Sequence, residues 1–226
     1  MRQGEVQEDV AQTLTWALPG PKGEGWHVAA VGGGRSIGTA IDDGTPVADL
    51  DEAQLVAACL AGRSGAFDLV VERHRRSVYQ LCYRFVGNHE DASDLSQDVF
   101  LRAYRGLKSF RGGSSLATWL YRIGVNVCLN RVAVKKPPTE DLDARPHMDT
   151  AQESADERVL REERGVRVRM AIAQLPPKQR ATLILRMYQE LSHEEIAGVL
   201  GSSVGAVKAN FFHALGNLKK IIGDAL

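Results

Sequence analysis

The sequence predicts an all-α protein: an N-terminal helical bundle and a C-terminal three- to four-helix helix-turn-helix domain, joined by a flexible acidic linker. Three observations carry that expectation. From Asp51 onward apolar residues recur at i, i+3, i+4 and i+7, and no stretch alternates convincingly as a strand would. Prolines and glycines fall between the periodic stretches, where helices must stop. The charge is arranged in blocks. The 226 residues carry 28 Lys+Arg and 28 Asp+Glu, yet residues 1–49 hold 3 basic and 7 acidic side chains, 50–136 hold 13 and 8, 137–157 hold 1 and 7, and 158–226 hold 11 and 6. Two basic units flank an acidic tether, which fits either ordinary surface charge on two small domains or a polyanion partner.

Residues 1–49 read as a disordered extension. The first 47 contain nine of the 22 glycines, including Gly32-Gly33-Gly34, with no helical or strand period. GGGRS lacks the GxxxxGK[ST] pattern of a phosphate loop. Val47 or Leu50 could be read from alternative start codons, which would leave this stretch upstream of the real start; an intact mass of the native protein decides that.

The bundle spans 50–136. Leu55, Ala58 and Cys59 share the face of a first helix that Gly62 closes in a left-handed cap. A longer helix aligns Phe67, Val70, Val71, His74, Val78, Leu81, Cys82 and Phe85, with His74 an interior or edge histidine rather than a ligand. A third, about His89–Leu107, turns Ala92, Leu95, Val99 and Ala103 inward, and a fourth, about Leu116–Val134, turns Leu116, Leu120, Ile123 and Val127 inward. Pro137-Pro138 ends the bundle. The acidic linker 137–157 follows, and the domain 158–226 resumes helical pattern near Asp156, breaks at Leu175-Pro176-Pro177, then runs through Pro177–Tyr188, His193–Leu200 and about Val204–Ile222.

Several classes are excluded. No apolar run approaches the ~18 residues of a membrane span, so no membrane insertion is expected. The start lacks the basic and apolar pattern of a secretory signal. Cys59, Cys82 and Cys128 are odd in number and lie within helical patterns, as reduced thiols of a cytoplasmic protein do. His193-Glu194 resembles the start of HExxH, but Ala197 stands where the second histidine is required. No nucleophile, metal cluster or phosphate loop is assembled, so neither enzyme activity nor a cofactor is expected.

The strongest local signal is LSHEEIAGVLGSSVGAVKANFFHALGNLKKI. Ser192 and Glu195 form a capping box, Ala197 is small where a second helix crosses, and Gly201 makes the turn. Val204, Val207, Phe211, Ala214, Leu215, Leu218 and Ile222 form the buried side of the last helix. The pattern is a helix-turn-helix, whose second helix enters the major groove. Its outward side holds Lys208, Ala209, Phe212 and His213, with Asn210 and Asn217 on the flanks and Ser203 at its start. Lys208 suits a phosphate or guanine, Asn210 an adenine, and Phe212 or Ala209 a thymine methyl.

Two faces of the bundle stand out. Asp91, Asp94 and Asp98 line one side of the third helix, with Gln97 beside them; a solvated surface and a docking face for a basic partner explain them equally well. On the fourth helix Trp119, Arg122, Asn126 and Asn130 share a side, with Arg131 adjacent and the loop Phe110–Ser115 just before. An aromatic with amides and arginines suits unstacked bases, although Trp119 also fits a core position.

The blocks EDASDLSQDVFLRAYRGLKSFRGGSSLATWLYRIGVNVCLN and LPPKQRATLILRMYQELSHEEIAGVLGSSVGAVKANFFHAL together resemble the bacterial extracytoplasmic-function (ECF) sigma factors. The resemblance covers about 50–136, as a sigma region 2-like bundle, and 158–222, as a region 4-like domain. It implies a promoter-specificity subunit of RNA polymerase. Asp91, Asp94, Gln97, Asp98 and Phe100 would contact core polymerase at the clamp helices of the largest catalytic subunit, and the second domain would meet the flap of the second subunit. Phe110, Arg111, Ser114, Trp119, Arg122, Asn126, Asn130 and Arg131 would capture flipped minus-10 bases. Ser203, Lys208, Ala209, Asn210, Phe212 and His213 would read minus-35 duplex. The acidic linker would thread toward the RNA channel. An anti-sigma factor, often membrane-bound in the family, is an expected partner of a chain otherwise cytoplasmic and nucleoid-associated. Many relatives have arginines or a serine where this recognition helix has Ala209, Asn210, His213 and Leu215, which implies a different base preference. The competing readings are a helix-turn-helix regulator acting without polymerase and a helical protein-interaction adaptor.

Overall fold

In the computed structural model the described residues are 46–134 and 155–223. The glycine-rich start and the acidic linker, apart from their last residues, lie outside them. Every regular element among the described residues is helical.

Four helices form the first unit: α1 (Glu52–Leu60), α2 (Ala66–Val86), α3 (His89–Gly106) and α4 (Leu116–Val134). Asp51 starts α1 by accepting from the Gln54 amide at 2.8 Å while the Gln54 side chain accepts from the Asp51 amide at 3.0 Å. Gly62, at φ +75°, ends α1 as expected. The predicted stripe of α2 buries Val70, Val78, Leu81, Cys82 and Phe85, while His74 stays half-buried. Burial, the larger effect, holds the His74 imidazole below its ordinary pKa against the opposing pull of Glu52. Cys82 and Cys128 are buried free thiols, and Cys59 is a half-buried one.

The crossing of α2 and α4 depends on Gly124. A Cβ there would stand 2.8 Å from Leu81 Cδ2, inside the distance side chains tolerate. The start of α4 is set from far away in the chain. The Leu116 amide donates to Glu52 Oε1 of α1 at 2.8 Å, so a carboxylate from the first helix occupies the positive end of the fourth.

The second unit is α5 (Ala155–Gln174), α6 (Pro177–Tyr188), α7 (His193–Leu200) and α8 (Val204–Gly223). Pro177 sits in the first turn of α6, where its missing N–H costs no helical hydrogen bond. α7 and α8 pack on α6 around Leu183, Ile184, Ile196, Val207, Phe211 and Leu218.

Periodicity is silent on whether the two units touch. The structure packs α6 and α5 against α2, and α7 against α4, and the buried residues of both units form one continuous apolar cluster.

Candidate nucleic-acid and partner interface

The α3 face is narrower at its start than the spacing implied. Asp91 is 9% exposed. Its amide donates to Asn88 Oδ1 at 2.8 Å, its carboxylate accepts from Asn88 Nδ2 at 2.9 Å, and Arg131 Nη2 of α4 donates to its other oxygen. Asp91 is therefore committed to the cap of α3 and to tying α3 to α4, which also fixes the head of Arg131. Asp94 and Gln97 are exposed. Asp98 is partly exposed and accepts from Arg102 Nε through both oxygens at 3.0 Å. Phe100 is half-buried against the core. Sequence reasoning missed the continuation of this face: Leu101 is 45% and Tyr104 59% exposed, with the Tyr104 ring 5.0 Å from that of Phe67. These two occupy the turns that follow Asp94 and Asp98 on the same side, and that spacing was the available signal.

The loop before α4 and the ridge along it form a second face. Ser115 accepts from the Thr118 amide at 3.1 Å and starts the helix. Trp119 divides the difference between core and surface. It is half-buried, and its ring centre lies 5.4 Å from that of Phe110 at a 55° tilt. Arg122, Asn126 and Asn130 are exposed along the same side, and Arg111 and Ser114 are exposed in the loop. Aromatic surface, amide edges and a guanidinium are thus presented together, as unstacked bases require.

The helix-turn-helix forms as its sequence implied. The Ser192 amide donates to Glu195 Oε2 at 2.8 Å, and the Glu195 amide donates to Ser192 Oγ at 3.2 Å. Donation from the Ser192 amide first, and then from the Ser192 hydroxyl to the same Oε2 at 2.8 Å, holds the Glu195 carboxyl below its ordinary pKa. Gly201 turns the chain at φ +59°, and Ser203 Oγ accepts from the Ala206 amide at 3.2 Å, starting α8. Lys208, Ala209, Phe212 and His213 are exposed, and Asn210 is half-exposed. Phe212 is 61% exposed, with its ring 5.9 Å from His213. Asn217, expected on the flank of the reading face, instead donates to Gln179 Oε1 of α6 at 2.8 Å and braces α8.

Among the described residues no cluster of His, Cys, Asp and Glu could hold a metal ion. Among them, too, no helix is long and apolar enough to cross a membrane.

Comparison with known proteins bears on the same residues. The Sigma-70 region 2 family matches residues 70–136, and the Sigma-70 region 4 family matches residues 165–218. The RNA polymerase sigma-H factor of Pseudomonas aeruginosa is 36% identical over 182 residues, covering 76% of this chain and 94% of that protein. The ECF RNA polymerase sigma factor SigW of Bacillus subtilis is 33% identical over 172 residues, covering 72% and 92%. Among solved structures, the sigma factor RpoE in complex with the anti-sigma factor NepR from Bartonella quintana superposes with a TM-score of 0.53 at 20% identity, covering 70% of this chain and 98% of that one. At that identity the likeness bears on the fold alone.

Proposed function

The chain belongs to the ECF RNA polymerase sigma factors, and on that premise we propose how its three faces divide the work of starting transcription. The α3 face, Asp94, Gln97, Asp98 and Phe100 with Leu101 and Tyr104 beyond, docks on the clamp helices of core polymerase. The loop residues Phe110, Arg111 and Ser114 and the ridge Trp119, Arg122, Asn126 and Asn130 take the unstacked minus-10 bases. Lys208, Ala209, Asn210, Phe212 and His213, with Ser203 holding the start of their helix, read minus-35 duplex. Asp91 and Arg131 act behind these surfaces, because their ion pair ties the docking helix to the base-capturing helix.

The observation that carries this division is that all three faces are open to solvent while the opposite sides of the same helices are buried. No chemistry is performed by the chain. Each DNA face offers few contacts, so each binds weakly alone, and mounting both on polymerase multiplies their affinities through effective concentration. Melting is driven by the stacking surface that leaving bases find on α4.

The two functional units are 50–136 and 158–226, with 1–49 as an extension whose last residues, Val47–Asp49, form a short helix, and 137–157 as the tether that enters the RNA channel, its last residues from Ala155 already in α5. The chain works in the cytoplasm at the nucleoid, and an anti-sigma factor restrains it. Run-off transcription with purified core polymerase on a promoter library tests the reading. The expected result is a new set of start sites that share two elements at fixed spacing. Unchanged start sites would overturn it.

A further inference from the structure

The loop that leads into the α4 ridge takes its course from its two ends. At the near end the Phe110 amide donates to the Leu107 carbonyl at 3.0 Å, and the Phe110 ring packs on Trp119. In the middle stand Gly112, at φ +70°, and Gly113, and a Cβ on either would meet nothing within 4 Å. With no side chain to pack there, the path of the loop is imposed by what anchors it.

At the far end two groups meet the first-turn amides of α4. Ser115 Oγ accepts from the Thr118 amide at 3.1 Å, and Glu52 Oε1 accepts from the Leu116 amide at 2.8 Å. Ser115 belongs to the loop and moves with it. Glu52 belongs to α1, so its bond refers the loop to the rest of the bundle. The Leu116 side chain is fully buried, which keeps α4 on the core but sets no direction, because burial is non-directional. A hydrogen bond has a preferred angle and does set one.

Glu52 can act as a reference because the chain just before it is clamped. Arg73 of α2 donates through Nη2 to the Ala48 carbonyl at 3.0 Å and to the Leu50 carbonyl at 2.9 Å. Leu50 is buried, and Asp51 with Gln54 caps α1. A strut therefore runs from Arg73 through residues 48–52 to the head of α4. Glu52 itself is exposed, so its carboxylate can be removed without emptying the core.

We propose that Glu52 is a positioning residue for minus-10 capture: its carboxylate holds the first turn of α4 in the orientation at which the Phe110–Ser115 loop and Trp119 offer one surface to unstacked bases. This rests on the minus-10 reading above and adds to it a residue outside the three faces. Without the bond the competent orientation becomes one of several, and apparent affinity falls in proportion to the fraction lost. One hydrogen bond bounds that loss at about 2- to 12-fold.

The test uses the full chain bound to core polymerase, a labelled single-stranded minus-10 oligonucleotide, and minus-35 duplex as control. Glu52→Ala removes the acceptor, Glu52→Gln keeps an acceptor oxygen at the same reach, and Arg73→Ala loosens the strut at its other end. The expected result for Glu52→Ala is a single-strand loss of about 2- to 12-fold, with duplex affinity, polymerase capture and helicity unchanged. Glu52→Gln restores wild-type affinity. Arg73→Ala adds no further loss in the Glu52→Ala background, because both act along one strut. Wild-type single-strand affinity in Glu52→Ala overturns the proposal. Equal loss in Glu52→Gln does too, since the charge and not the bond would then matter. Fully additive losses with Arg73→Ala, a parallel loss on duplex, or loss of helicity in Glu52→Ala each overturn it as well. Should wild type itself not prefer the minus-10 strand to a scrambled one, the minus-10 reading falls and takes the proposal with it.

Discussion

Trp119→Ala tests the base-capturing role proposed for α4. In the structure part of the Trp119 ring rests against Phe110, 5.4 Å away between centres, and a Cβ on Gly106 would meet its Cζ2 at 3.8 Å. The part of the ring that remains accessible is the surface proposed to stack one base. One base–aromatic stack is worth about 1–3 kcal/mol, which corresponds to about 5- to 150-fold in affinity at ~1.4 kcal/mol per decade. The assay is fluorescence anisotropy of a labelled single-stranded minus-10 oligonucleotide with the polymerase-bound chain. A duplex minus-35 fragment serves as internal control, because α8 belongs to the other unit. The expected result is loss within that range for the single strand and none for the duplex, with a thermal melt reporting any cost of removing the half-buried ring. Single-strand affinity within about twofold of wild type would show that the ring stacks on no base and serves the fold alone.

The other two faces give predictions of different kinds. Asp94→Lys combined with Asp98→Lys is expected to abolish capture by core polymerase with helicity intact, and normal capture would refute the docking face. Asp94 contributes more of that effect, because Asp98 already shares its charge with Arg102 through both oxygens. Lys208→Ala distinguishes a phosphate contact from a base contact. Losing one phosphate contact lowers the salt slope by about 0.9, so the ratio of variant to wild-type Kd for minus-35 duplex shrinks about 3.5-fold between 50 and 200 mM salt. A ratio independent of salt, with altered preference at one base pair, assigns Lys208 to a guanine instead.

Helix boundaries were legible wherever the chain announces them chemically. The stretches Leu116–Val134, Pro177–Tyr188 and His193–Leu200 begin and end where expected, because Pro177, the Ser192–Glu195 box and Gly201 act within a turn of themselves. The outward side of α8 followed from its apolar stripe by subtraction. What escaped depends on partners remote in sequence. Asp91 has the same spacing as its neighbours on α3, yet Arg131 lies 40 residues further along the chain and draws it inward. Nothing in LPPKQRATL marks Arg180 as buried, and only the arrival of α2, 95 residues earlier at Phe85, buries it. Gly124 registers in the sequence only as a weak helix former. Its use, admitting Leu81, requires the crossing of two helices.

The carboxylate of Glu52 at the head of α4 makes the aim of the ridge proposed to bind bases an inherited property. Beside the cap that Ser115 supplies locally, this helix takes a second anchor from a segment 64 residues earlier in the chain. A pull on that leading segment is therefore passed, in part through one carboxylate oxygen, to the ridge proposed to receive nucleobases.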